Sequence, residues 1–272
     1  MIRILAPLAL LAGLAACSSP EEMSEAVTVN PDDESVEDRL ARRIGAGGEP
    51  VEFKDEEERD GSVRDFNYSW PAQVSAVPEL AGQLGRMRDR ALAEQKADWE
   101  NALEEFAGED CATCTNRGWG TTWQVVADTP RFLSLSAESY VYSGGAHGNS
   151  SFDAMVWDRE LGDALETRAF FTAPEGLAMV IAEPYCRALN ELRAERRGEM
   201  GADGDLGECP QLSELTLLIG SSNGETFDRL GLIAAPYIAG SYAEGPYEVT
   251  IPLTRDMLAE VKPAYREYFT VQ

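Results

Sequence analysis

Arg131-Phe132-Leu133-Ser134-Leu135-Ser136-Ala137-Glu138-Ser139-Tyr140-Val141-Tyr142 is the most regular stretch of the chain, and its period is two. Leu133, Leu135, Ala137 and Val141 fall on one side, and Ser134, Ser136, Glu138 and Tyr142 on the other. That alternation predicts a strand with one buried face and places Tyr142 on the polar one. Gly144-Gly145 breaks the pattern, and residues 151–157 resume it as a second strand. Upstream, residues 119–127 are strand-like, and 66–70 read as the first strand of the folded part, closed by Pro71. Between them Pro78 opens a helix. Leu80, Leu84, Met87, Ala91, Trp99, Ala102 and Phe106 mark one face of it, and it ends near Gly108. Downstream, Pro174 opens a second helix running to about Arg197. Residues 215–219 and 227–234 form a strand pair around Asn223-Gly224. Residues 247–253 read as a strand and 256–268 as a last helix. Strands outnumber helices and neighbours read as antiparallel, so the expected class is α+β, antiparallel sheets packed with a few helices.

The 272 residues are 44% hydrophobic and 26% charged, enough for a packed core. There are 23 Lys and Arg against 48 Asp and Glu, a formal net charge of −25. Such a chain repels phosphate backbones, which argues against nucleic-acid binding, and an anionic membrane surface does not attract it. The one histidine is His147. A multi-histidine zinc site is excluded, and a nucleophile system of the Ser-His-Asp or Cys-His kind has only that imidazole to use. There is no P-loop and no GxGxxG. No cofactor, metal or catalytic residue is assigned from the sequence.

Met1-Ile2-Arg3 is a short basic start, residues 4–13 are apolar, and Leu14-Ala15-Ala16 leads into Cys17. This is the layout of an export signal over 1–16. Leu14-Ala15-Ala16-Cys17 resembles the bacterial lipobox, which implies cleavage before Cys17 and acylation of it. Several acyl chains at ~0.8 kcal/mol per buried CH₂ hold a protein firmly on a membrane. Ser18 and Ser19 follow, with no Asp after Cys17, which resembles sorting to the outer membrane. Residues 17–65 carry 16 acidic and 6 basic side chains and few large apolar ones, and are expected to be a flexible tether.

Cys111, Cys114, Cys186 and Cys209 are an even set in a chain read as exported, which points to disulfides. Of the three possible pairings, 111–114 and 186–209 are preferred because both are local. The alternatives are a thioredoxin-type site, which needs a helix N-terminus within a βαβ pattern, and a four-Cys zinc site, which needs a second close pair. Asp203, Asp205 and Glu208 lie in a Gly- and Asp-rich loop that lacks the alternation and terminal Glu of an EF-hand.

Three stretches together carry a resemblance. They are Tyr140-Val141-Tyr142-Ser143-Gly144-Gly145-Ala146-His147-Gly148; Trp157-Asp158-Arg159-Glu160-Leu161 running into Phe170-Phe171; and Gly231-Leu232-Ile233 with Pro236-Tyr237, Tyr242-Ala243-Glu244-Gly245-Pro246 and Val249-Thr250-Ile251-Pro252. The combination resembles a PdaC-like domain, here 66–170, followed by an RsiV-C-terminal-like domain, here 171–272. The resemblance implies an extracytoplasmic α+β module associated with sensing or binding the cell wall. It implies neither deacetylase activity nor an anti-sigma role, because no esterase domain and no transmembrane or cytoplasmic segment is evident.

His147 lies in a glycine-flanked turn: Gly144 and Gly145 permit positive φ, and Gly148 permits close backbone approach. It reads either as a ligand contact or acid/base group, or as a ring satisfying nearby backbone groups. Tyr140, Tyr142, Trp157, Tyr237, Tyr242 and Tyr247 are candidates for an aromatic groove, against the alternative of core packing. The expected function is a lipid-anchored, periplasm-facing binding module of the cell envelope that recognises peptidoglycan or a basic wall-active protein such as a lysozyme. The alternatives are a hydrolase using His147 with a carboxylate, and a ligand-free structural lipoprotein.

Overall fold

The computed structural model describes residues 48–198 and 207–271. The export signal, Cys17, the tether up to residue 47, and Asp203 and Asp205 lie outside the described residues.

The described fold is α+β, with five α-helices and two sheets. The first sheet has six strands in sequence order: β1 (Val51–Arg59), β2 (Ser62–Trp70), β3 (Arg117–Asp128), β4 (Phe132–Tyr142), β5 (Asn149–Asp158) and β6 (Asp163–Leu165). Neighbours are antiparallel except β2 and β3, which are parallel. A parallel neighbour needs a crossover. Helices α1 (Ala72–Ser75), α2 (Pro78–Glu105) and α3 (Ala112–Thr115) lie between those two strands and provide it. The second sheet is antiparallel, β7 (Thr216–Gly220), β8 (Arg229–Ala234) and β9 (Tyr247–Pro252), and follows helix α4 (Pro174–Arg197).

The folded part begins before residue 66. β1 occupies most of what reads as the end of the tether, and it pairs with β2 along its whole length across an Asp60-Gly61 turn. Both turn residues have positive φ, 54° and 81°, the geometry of a two-residue hairpin. The acidic run misleads because this is an edge strand with carboxylates on its inner face as well. Asp55 and Glu57 pair with Arg64 of β2, whose side chain is only 1% exposed. Inward charges at a sheet edge discourage edge-to-edge pairing. Arg64 and Lys96 hold the Asp55 carboxyl below its ordinary range.

Two apolar clusters meet at β4. Leu133, Leu135 and Ala137 pack with Phe66, Tyr68, Trp123, Trp157 and helix residues Leu80 and Leu84. Phe132 instead joins Phe170, Phe227, Leu230 and Ile181 in the cluster under α4 and the second sheet. The supposed polar face of β4 is therefore covered at its start, and Ser134 is fully buried. The expected boundary at 170/171 runs through this cluster, which holds both Phe170 and Phe171. The last helix is shorter than expected: α5 (Arg255–Glu260) starts on a Thr254 cap and stops ahead of Pro263, and a 3-10 turn, Arg266–Tyr268, follows. A residue preceding proline is driven out of helical geometry. The disulfides are Cys111–Cys114 and Cys186–Cys209. No helix among the described residues is long and apolar enough to cross a membrane.

Candidate functional site

The glycine turn after β4 and the segment between β8 and β9 come together, and they bring three of the expected side chains, His147, Tyr237 and Tyr242, into one cluster. Gly144 and Gly145 have φ of 98° and 86°, so the chain reverses tightly after β4. The Tyr142 hydroxyl donates to the Gly145 carbonyl at 2.9 Å, and the Tyr140 hydroxyl accepts the Gly148 N–H at 3.1 Å. A Cβ on Gly148 would lie 2.4 Å from the Tyr140 ring, so only glycine fits there. Tyr140 is the more exposed of the two tyrosines and Tyr142 is half-buried, the reverse of the expectation from strand alternation. Tyr142 turns its hydroxyl back onto the loop, which accounts for the difference.

His147 is exposed and stacks on Tyr242, with ring centroids 3.9 Å apart and an interplanar angle of 21°. Its Nδ1 is 2.8 Å from the Gly148 carbonyl oxygen, which can only accept, so Nδ1 carries the proton in the neutral ring. Nε2 is then the acceptor facing the Tyr237 hydroxyl, at a long 3.4 Å. Tyr237 and Tyr242 are 5.6 Å apart at 32°. Among the described residues no carboxylate bonds to the imidazole. Trp157 and Tyr247 do not join the cluster; both are buried in the core.

Tyr237 is held there at a cost. Ala235-Pro236-Tyr237-Ile238 is a β-turn closed by the Ile238 N–H on the Ala235 carbonyl at 3.0 Å, and Tyr237 has φ of 74°. Proline at the second position with a left-handed third residue is a type II pattern, which favours glycine at the third. A tyrosine there loses ~1–2 kcal/mol to crowding of its Cβ, yet its side chain points into solvent, 54% exposed. Tyr237→Gly is expected to be about 1 kcal/mol more stable than Tyr237→Ala in urea unfolding, although glycine is the more flexible residue. Equal stabilities, or a more stable alanine variant, would show an unstrained turn.

Tyr242 opens a 3-10 turn, Tyr242–Glu244, whose capping box joins Ser241 and Glu244. The Ser241 N–H and hydroxyl both donate to Glu244 Oε1, at 2.8 and 2.9 Å. Arg197 Nε and the Tyr247 hydroxyl donate to Oε2, at 2.7 and 2.5 Å. Burial would raise the Glu244 carboxyl, but these donors outweigh it and bring it down to about 2. The sequence signal for Glu244 as a positioning residue is the Ser-x-x-Glu spacing of a capping box, Ser241 to Glu244.

The two segments that build the cluster share one more property. No Asp, Glu, Lys or Arg occurs in residues 139–152 or in residues 230–243. In a chain with a net charge of −25, the aromatic cluster thus sits on uncharged segments. The rings form a platform open to solvent: His147 is exposed, Tyr237 is 54% exposed and Tyr242 is half-buried. A cleft of about 750 Å³ lies elsewhere, between the Asp60-Gly61 turn and the end of α2, and an apolar groove of about 350 Å³ runs beside Cys186–Cys209. Among the described residues no cluster of His, Cys, Asp and Glu is placed to hold a metal ion.

Residues 57–150 match the family model described as "Deacetylase PdaC", and the matched stretch contains the glycine turn and His147. A member of the DUF3298 family from Bacteroides fragilis is similar in structure, with a TM-score of 0.53 at 16% identity, over 83% of this chain and 98% of that one. A DUF3298 family protein from Pseudomonas aeruginosa PAO1 gives a TM-score of 0.48 at 14% identity, over 81% of this chain and 97% of that one. At such identities the likeness concerns the fold. No curated protein matches the chain.

Proposed function

We propose that this chain is a non-catalytic binding module of the bacterial cell envelope, held by lipid on Cys17 and facing the periplasm, with the outer membrane as its seat. In this reading 171–272 is the RsiV-C-terminal-like partner of the PdaC-type domain, and the pair presents His147, Tyr237 and Tyr242 to peptidoglycan. The observation that carries the proposal is the uncharged, solvent-facing platform, in which Tyr237 is kept at positive φ. Rings of this kind bury area on sugar faces at low entropic cost, and the hydroxyls and Nε2 offer hydrogen bonds without charge. Among the described residues no carboxylate bonds to His147, which leaves the hydrolase alternative without an orienting group there.

A second reading, a basic wall-active protein such as a lysozyme as the ligand, is favoured by the net charge of −25. Such a partner would be steered by long-range attraction, which salt screens. Retention of the full chain on purified peptidoglycan and on immobilised lysozyme, at low and moderate salt, separates the two. Peptidoglycan retention that survives salt is the expected result. Salt-sensitive retention on lysozyme alone would favour the second reading, and retention on neither would defeat both. In cells expressing the full chain, labelled palmitate is expected on wild type and not on Cys17→Ala; an unlabelled wild type removes the anchor.

A further inference from the structure

We propose that the Cys111–Cys114 disulfide is a reversible redox latch on the turn that carries His147, opened by a dithiol reductant. The regulatory meaning of the latch rests on the binding role proposed for that turn; the latch itself rests on contacts. Helix α3 (Ala112–Thr115) is a single turn, and one turn fixes several torsions for a single hydrogen bond, so it has little stability of its own. The disulfide closes that turn from Cys111 at its N-cap to Cys114.

The backbone between the two sulfurs is what grips the site. The Thr113 carbonyl accepts the Gly145 N–H at 3.2 Å, and the Tyr142 hydroxyl, whose proton points at the nearer Gly145 carbonyl, lies 3.4 Å from the same oxygen. Gly144 lies so close that a Cβ on it would be 3.1 Å from the same oxygen. The Cys114 carbonyl accepts Arg117 Nη1 at 3.0 Å, and Arg117 Nε is paired with Asp98. Gly145 is two residues from His147, so the position of the imidazole over Tyr242 depends on where Thr113 is held. Cys186–Cys209 ties α4 instead, and serves as a control within the molecule.

A reductant has an approach. Cys111 is half-buried and lines the cleft of about 750 Å³. The step is thiol–disulfide exchange: the dithiol supplies two electrons and two protons, the Sγ–Sγ bond breaks, two cysteine thiols form, and the dithiol leaves as a disulfide. Residues 111–115 then lose their ring closure, the Thr113 carbonyl is no longer fixed, and the Gly145 N–H is released.

The test is peptide-resolved hydrogen exchange on the full chain in three forms: oxidised, held in dithiothreitol with cysteine alkylation mapped, and Cys111→Ser/Cys114→Ser. Exchange in peptides covering 143–148 should rise about tenfold in the second and third forms. Peptides from β7 to β9 should be unchanged in the double variant, and Cys186→Ser/Cys209→Ser should leave 143–148 as in wild type. Unchanged exchange at 143–148 in both the reduced protein and the double variant would overturn the latch. So would failure of Cys111 and Cys114 to alkylate under dithiothreitol. If the double variant does not fold, the reduced wild type decides. No ligand enters the assay, so failure of the binding reading and failure of the latch are distinguishable.

Discussion

Asp158→Ala should destabilise the folded part by about 3 kcal/mol, the cost of taking a shared carboxylate from Arg131 and two backbone amides. Asp158 ends β5 with no exposed surface. Arg131 meets it with two nitrogens, Nε at 3.1 Å from Oδ1 and Nη2 at 2.8 Å from Oδ2. The N–H groups of Glu160 and Leu161 donate to Oδ1 at 2.9 and 3.3 Å, so the carboxylate also shapes the turn into β6. Burial pushes the Asp158 carboxyl up, but Arg131 and those amides more than compensate and hold it below its ordinary value. Arg131 continues to the Tyr268 hydroxyl at 2.8 Å and lies over the Phe132 ring, which ties the first sheet to the C-terminal segment. Alanine removes every one of these acceptor contacts and leaves Arg131 only the more exposed Glu160 carboxylate, 3.0 Å away, and the Tyr268 hydroxyl. Urea unfolding measures the loss. Arg131→Met/Asp158→Leu should recover a good part of it, because apolar replacement of a whole buried pair is often neutral. A loss under about 1 kcal/mol for the single variant would mean that the pair is bystander to packing.

Glu244→Gln should cost about 2–3 kcal/mol through weakened charge-assisted bonds, and should free Tyr242. The wild-type carboxyl lies at about 2 against an ordinary 4.5, so folding favours its ionised form. The stabilisation it contributes is fully present above about pH 4.5 and is lost as pH falls through about 2. Wild-type stability should therefore decline across that acid window, and the glutamine variant should show a shallower decline there. Above pH 5 the variant should be less stable by a constant amount. Parallel curves through the acid window would contradict the assignment of Glu244 as the group that fixes the turn.

Much of this fold follows from local rules. Helix α4 begins at Pro174 and ends at Arg197 as its pattern predicts, and β3 to β5 follow from alternation and the glycine break. The failures are tertiary. β1 is hidden because its inner carboxylates are satisfied by Arg64, fully buried on a different strand. Ser134 reads as surface because alternation cannot say that a second sheet covers the other face. The parallel β2–β3 pair depends on where a long helix returns the chain. At the site, the glycine turn was legible from residue types, whereas the stacking of His147 on Tyr242 joins segments about ninety residues apart and has no local signal. Tyr237 at positive φ goes against backbone preference, and such departures gather at sites under functional constraint.

We propose that the uncharged ring platform, not the acidic bulk of the chain, binds peptidoglycan. Co-sedimentation of the full chain with purified peptidoglycan sacculi, compared with Tyr237→Ala/Tyr242→Ala, tests it most directly. Wild type should pellet, and the double variant, with unchanged circular dichroism, should lose about 30-fold or more in affinity, the effect of removing aromatic hot spots. A folded double variant that pellets as well as wild type would contradict it.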